Sequence, residues 1–315
     1  MPAADLPIHN NQPVQATSVD QLPLRTDVLF TNHKGEAKER VRKRKTKALE
    51  KLRPALLRIL QPGETVFCIT DARSPLTILE QLTAAWWTAM LAATAIVITN
   101  KRILFFPIKH NGAWRESVRA VHWGDLEEVK AKGLLIKNVV FRFKNGAKST
   151  YTNVRHGDGK KLAAIATALL PSAAGEQTAM PGFVQLCPDC RTALTAGQYS
   201  CPACNLIFKN EQTMVLRSIF LPGGGYFYTG HPLIALLPAV IEGLLVLDIL
   251  VLLLAGLSSP VTRRLVFSQL VILAIFWGLE TAITILHCRR YVRDFIPEKR
   301  DPTRAPQDLV ANFRR

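Results

Sequence analysis

Hydrophobic positions along this chain change period three times. Met1 to His33 shows no periodicity and predicts disorder. From Gly35 the pattern turns helical. Lys38 to Lys47 is almost wholly charged, and Leu49, Leu52, Leu56 and Leu60 then recur at spacings of 3, 4 and 4, which places them on one stripe. Pro54 interrupts the stripe and predicts a fresh helical start, and Gln61-Pro62-Gly63 predicts the end. From Glu64 to Tyr151 the texture is β. Strands are predicted over 65–70, 94–99, 102–107, 115–122, 134–136, 139–143 and 148–151, with turns at Asn100-Lys101 and Asn145-Gly146. A helix follows, capped by Asp158, striped by Leu162, Ile165, Ala166 and Leu169, and stopped by Pro171.

Beyond residue 230 the pattern is continuously apolar. Leu233 to Leu257 gives twenty-five residues with Glu242 and Asp248 as the only charges, and Leu265 to Leu286 gives twenty-two with Glu280 alone. Each exceeds the roughly 20 residues that cross a bilayer core about 30 Å thick. The seven residues Ser258 to Arg264 predict an antiparallel hairpin of two spans. Lys209 and Arg217 precede the pair, and Arg289, Arg290, Arg293, Lys299 and Arg300 follow it, whereas the link carries only Arg263 and Arg264. That bias predicts both termini on the cytoplasmic side of an inner membrane. A third uncharged stretch, Thr83 to Thr99, is seventeen residues long, but its second half is β-branched and runs into a hairpin. A span there would move the downstream cysteines out of the reducing side, so it reads as a helix packed on the sheet domain or dipping into the interface.

Charge adds a partner class. The net charge is +16, and Lys34 to Arg58 holds eleven cations against Glu36, Glu39 and Glu50. A clustered cationic segment either solvates one helix face or meets a polyanion, either anionic lipid or nucleic acid. Arg42, Lys43, Arg44, Lys45 and Lys47, with Lys101, Arg102 and Lys109, are the candidate anion contacts.

Cysteine spacing adds a metal. Cys187-Pro188-Asp189-Cys190 and Cys201-Pro202-Ala203-Cys204 are two identical knuckles ten residues apart, and a C-x-x-C turn presents two sulfurs from one tight loop. Four thiolates fill a tetrahedral Zn²⁺ shell and leave no place for water or substrate, so the ion is read as structural, with Cys68 and Cys288 standing apart. The layout resembles the short zinc ribbons of bacterial membrane proteins. The ribbon either docks a protein or RNA or serves as a rigid spacer.

Gln61-Pro62-Gly63-Glu64 before the first strand, Ile98-Thr99-Asn100-Lys101-Arg102-Ile103 at the hairpin, and the strand-then-helix ending resemble bacterial pleckstrin-homology-like domains near the GRAM type. The resemblance covers about residues 60 to 170. It implies a small antiparallel barrel closed by a C-terminal helix, and a recognition role. The segment Leu76 to Ala92, with Trp86, Trp87 and Met90, departs from the family as an insertion. Pro222-Gly223-Gly224-Gly225-Tyr226-Phe227-Tyr228-Thr229-Gly230 is similar to the lead-in of small bacterial two-span modules.

The expected organisation is therefore a multidomain α+β membrane protein: a disordered 1–34, a basic helix 35–61, a PH-like domain 62–171, a linker 172–182 and a zinc ribbon 183–210. An interfacial or re-entrant segment 211–232, spans 233–257 and 265–287, and a basic tail 288–315 complete it. Phosphate-loop, serine-hydrolase, zinc-protease and dinucleotide-binding motifs are absent, which argues against an enzyme. The expected function is a membrane-anchored adaptor that binds lipid headgroups or a protein partner in the membrane. The alternatives are a nucleic-acid tether and an accessory transporter subunit resting on Glu242, Asp248 and Glu280. The basic run carries no interleaved aromatic residues for base stacking, which favours lipid over nucleic acid.

Overall fold

Residues 22–84, 92–173, 182–254 and 260–298 are described in the computed structural model. Two units result. One is a sheet unit that ends at Leu206; the other is a helical unit of Ile207–Glu298 joined by helix α3 (Ile78–Ala84).

In the sheet unit, a short turn of helix α1 (Thr26–Leu29) precedes α2 (Glu39–Ile59). The strands are β1 (Val66–Arg73), β2 (Ala93–Thr99), β3 (Arg102–Pro107), β4 (Val118–His122), β5 (Leu126–Lys132), β6 (Ile136–Phe143) and β7 (Lys148–Arg155). Helix α4 (His156–Leu169) and the short strands β8 (Val184–Leu186) and β9 (Ala193–Leu194) follow. The nine strands form one antiparallel sheet in the order β5-β6-β7-β1-β2-β3-β4-β8-β9. The expected closed barrel is not formed. β1 meets β7 through one register pair, Arg73 with Thr152, and the far edge of β4 is taken by β8 (Val118 opposite Leu186), leaving it no strand with which to close.

Strands β2 and β3 are buried over nearly their whole length because both faces of the sheet are covered, which is why their centres read as apolar runs. On one face Ile96, Ile98, Ile103 and Phe105 pack with Phe141, Tyr151 and the α4 stripe Leu162, Ile165 and Ala166. On the other, Ala95, Val97, Leu104 and Phe106 pack with Leu49, Leu52, Ala55, Leu56 and Ile59 of α2. A bulge between Val66 and Cys68 puts the adjacent Phe67 and Cys68 on the same side.

Several expectations change here. Pro54 does not start a new helix; α2 runs through it. Its lost backbone bond and ring clash cost about 3 kcal/mol, a penalty offset by burial of Leu49, Leu52, Leu56 and Ile59, each worth about 1.5–3 kcal/mol. The N-terminal segment is not disordered up to residue 34. From Leu22 it packs against α2, Leu24 pairs with Val66, and Lys161 Nζ donates to the Thr31 carbonyl at 2.6 Å. Residues 1–21, the tail from 299 on and Trp86, Trp87 and Met90 lie outside the described residues. Strand β5 has no counterpart in the periodicity. A bulge between Leu126 and Glu128 sets the buried Leu126 and Val129 three residues apart on one face, a helical spacing.

In the helical unit, α5 (Glu211–Phe220) and α6 (Gly224–Thr229) lead into α7 (Pro232–Leu254) and α8 (Pro260–Arg293). Helix α3 belongs with this unit rather than with the sheet, as the 3.9 Å pair of Glu80 with Arg290 reflects. The glycine run allows close packing that a side chain would prevent. A Cβ on Gly224 would lie 2.0 Å from the Arg217 carbonyl oxygen, and one on Gly225 2.3 Å from Ser218 Oγ. Gly224→Ala is therefore expected to lower the thermal midpoint in detergent, at an overpacking cost of about 1–3 kcal/mol. Gly243→Ala, whose Cβ would meet nothing within 4 Å, is the control and should leave the midpoint unchanged. Equal midpoints for the two variants would contradict this packing.

Candidate functional site

The two knuckles fold as one device used twice. Cys187 N–H donates to the Thr192 carbonyl at 2.8 Å and Arg191 N–H to the Cys187 carbonyl at 3.0 Å. In the second knuckle Cys201 N–H donates to the Leu206 carbonyl and Asn205 N–H to the Cys201 carbonyl, both at 2.9 Å. Arg191 and Asn205, each directly after its second cysteine, take left-handed backbone with φ of 66° and 57°. Each loop thereby reverses within one turn and aims both its sulfurs the same way. Strand β8 carries the first knuckle on the edge of β4, and Arg191 Nη1 donates to the Leu60 carbonyl at 3.1 Å. The cysteine module is thus continuous with the sheet, and its boundary falls at Leu206 rather than at 210.

Cys187, Cys190, Cys201 and Cys204 bring their sulfurs within 4.8 Å of one another, with Cys187 to Cys204 at 3.5 Å and Cys190 to Cys201 at 3.4 Å. A tetrahedral ion bonded at about 2.3 Å to each sulfur needs sulfur separations of about 3.8 Å. The four donors therefore fit a thiophilic metal ion. Cys187 and Cys201 are fully buried and the other two partly so. Burial opposes ionisation of Cys190, but the Thr192 hydroxyl at 3.2 Å and neighbouring donors outweigh it and bring its pKa down to about 7. Burial pushes Cys187 far up and Cys204 up to about 11. Cys68 and Cys288 are buried apart from the cluster.

The basic candidates separate into three groups. Arg102 is not an anion contact. It is 2% exposed, with Nε 3.0 Å from Glu64 Oε1 and Nη2 3.0 Å from Glu64 Oε2 and 2.9 Å from the Ile59 carbonyl. Lys45 is likewise buried, donating to Asp158 Oδ1 at 2.9 Å and to the Ile69 carbonyl. Arg44 donates to both Asp158 oxygens at 2.9 Å. Asp158 therefore joins α4 to α2 instead of capping its own helix, whose N-cap, Arg155, makes no side-chain cap bond. Arg42 and Lys43 are exposed on α2, and Lys101 Nζ donates to the Pro62 carbonyl at 2.8 Å. Lys47 and Lys109 remain, and both line a cleft with Lys51 and Arg73, two cations that periodicity did not single out.

Of the acids in the long helices, Glu242 is buried on α7, Glu280 is half-buried on α8, and Asp248 is exposed elsewhere on α7. Glu280 Oε1 accepts from Thr284 at 2.6 Å, whereas neither oxygen of the buried Glu242 has a hydrogen-bond partner among the described residues. Tyr226 of the glycine-rich lead-in and His287, which the pattern did not single out, meet at 2.5 Å between the hydroxyl and Nδ1.

No protein-family model matches the chain, and no curated protein matches it. A crystal structure of the C-terminal domain of an unknown protein from Leishmania infantum aligns with 43% of this chain and 99% of its own, at 13% identity and a TM-score of 0.24. A likeness of that size carries no argument about fold or function.

Proposed function

We propose that this chain is a membrane-anchored adaptor rather than an enzyme. Its sheet unit, read as a PH-like, GRAM-like domain, recognises a lipid headgroup or a protein partner on the cytoplasmic side of an inner membrane. A zinc ribbon with one structural Zn²⁺ extends that domain, and α7 and α8 form a two-span anchor with both chain ends inside. The carrying observation is the outward apolar surface of the two long helices. Pro232–Leu254 and Arg263–Arg293 are long and apolar enough to cross a membrane, and only 11% of an 18-residue apolar stretch of each is buried. Leu236, Leu244, Leu250, Phe267 and Ile275 are among the large side chains they expose. Each such side chain gains about 1.5–3 kcal/mol on leaving water, which favours hydrocarbon as the medium. The PH-like reading is supported by the meander β1–β4, the second meander β5–β7 and the closing α4.

The test is extraction and flotation of the whole chain. Membranes washed at alkaline pH should retain it, and purified protein in detergent should transfer to vesicles. An impermeant amine label applied to intact cells should reach neither the N-terminal amine nor Lys299. Release by alkali removes the anchor, and outside labelling of either end removes the topology.

The unpartnered carboxylate of Glu242 favours a second reading inside the membrane: a protein partner whose Lys or Arg meets the Glu242–Glu280 pair. Glu242→Gln should then reduce recovery of that partner from detergent-solubilised membranes by about tenfold or more, as expected when one side of a buried charge pair is lost. Unchanged recovery would remove this reading.

A further inference from the structure

Between α2, the Asp71–Arg73 end of β1, the Ala93 end of β2 and the 109–112 turn lies a cleft of about 510 Å³ whose walls carry Arg44, Lys47, Lys51, Arg73, Lys109 and His110. Asp71 is its one carboxylate. Arg44 is occupied by Asp158 and Lys51 by the Asn111 carbonyl, but Lys47, Arg73 and Lys109 make no ion pair among the described residues. Like charges gathered on low-dielectric walls focus potential and draw in an anion. Ala72, Ala93, Ala95 and Ile108 give the cleft an apolar floor. Its volume lies within the roughly 300–1,000 Å³ of small-molecule sites, well beyond a bare phosphate.

Two backbone features shape the walls. Asn153 has φ of 58° at a point where β7 holds one residue more than β6 between the pairs Lys137–Val154 and Val139–Tyr151. A left-handed non-glycine residue costs about 1–3 kcal/mol, and such bulges re-aim side chains at sites. Gly112, at φ +82°, leaves room for Lys51. A Cβ there would lie 3.0 Å from Lys51 Cδ and 3.1 Å from Nζ. Lys51 thus crosses the 109–112 turn that presents Lys109.

We propose that this cleft binds an organic phosphate, the anionic group meeting Lys47, Arg73 and Lys109 and the attached moiety resting on the alanine floor. Three of its cations, Arg44, Lys47 and Lys51, come from α2, outside the span of the family resemblance, so the site belongs to this chain's own architecture. The phosphate source is a lipid headgroup or a soluble ester. This inference rests on the sheet unit being the recognition part. It is independent of the anchor, which alkaline extraction tests separately.

The experiment uses the full chain in detergent and two probes. One is inorganic pyrophosphate, followed by calorimetry. The other is phosphatidylcholine vesicles containing phosphatidic acid, compared with vesicles containing phosphatidylglycerol at equal charge. Saturable pyrophosphate binding points to the soluble source, and preference for phosphatidic acid to the lipid source. K47Q/R73Q/K109Q should weaken whichever is seen by about 100-fold, with each cation contributing somewhat under one decade. K132Q/K148Q/K160Q removes the same charge from exposed positions off the cleft and should change binding less than about threefold. K47R/K109R keeps the charge and should bind, which separates lost charge from lost fold. The proposal is overturned by no binding to either probe or by equal weakening in the control triple. Displacement of pyrophosphate by a single-stranded oligonucleotide, with loss of its binding in the control triple, would also overturn it and indicate a nucleic-acid surface.

Discussion

Purified protein is expected to carry a single equivalent of Zn²⁺, and Cys201→Ser to lose it and unfold residues 183–206 locally. The module holds few apolar side chains of its own. Leu186, Leu194 and Leu206 are buried, but a stretch this short cannot offset its conformational entropy with three leucines. Metal binding must therefore supply the folding energy, on the order of 10–16 kcal/mol in comparable small modules. Hydrogen exchange reads the result. The amides of Cys187 and Cys201, which bond the Thr192 and Leu206 carbonyls, should lose protection in the variant, while β1–β3 keep theirs because both their faces remain covered. A wild-type chain without metal, or Cys201→Ser with metal and full protection, would remove the zinc reading.

Arg102→Met is expected to destabilise the sheet unit by about 3–5 kcal/mol, because Glu64 would be left charged and buried without its cation. Glu64 is 0% exposed and is held from three sides, by the Arg102 guanidinium, by the Thr99 hydroxyl at 2.8 Å and by the Gln61 N–H at 2.8 Å. The same guanidinium reaches the carbonyl of Ile59 at the end of α2, so one ion pair ties the helix to the β2–β3 hairpin. In a unit of this size the loss corresponds to a fall in thermal midpoint on the order of 10 °C. The double variant Glu64→Leu with Arg102→Met should recover much of it, since a buried pair replaced by apolar groups is often near neutral. A single variant within about 0.5 kcal/mol of wild type would show that water reaches the pair, contrary to its burial.

The fate of the basic residues shows how far a linear pattern reaches. Eleven cations in one helical run announce a charged surface, but the run does not say which of them face water. Lys45 lies on the buried side of α2 and is neutralised by Asp158, 113 residues away in sequence. Arg102 opens β3 directly after a hairpin turn, where a cation is usually exposed, yet it points to Glu64 38 positions earlier. Neither pairing has a local signal, because opposite charges need only meet after folding. Lys51 and Arg73 joined the cleft for the same reason: it is assembled from α2, β1 and the 109–112 turn.

By itself, the sequence determined the properties that depend on near neighbours. These are the stripe of α2, the strand runs, the two knuckles with their four sulfurs, and two helices apolar enough to cross a membrane. Spacing along the chain sets each of these through backbone periodicity or the reach of a tight turn. Tertiary structure alone decided whether the sheet closed, which edge the cysteine module extended, that α3 joined the helical unit, and which cations were spent on buried carboxylates. Those outcomes turn on competition between distant segments for one edge, one face or one counter-charge, and such competition leaves no period in the chain.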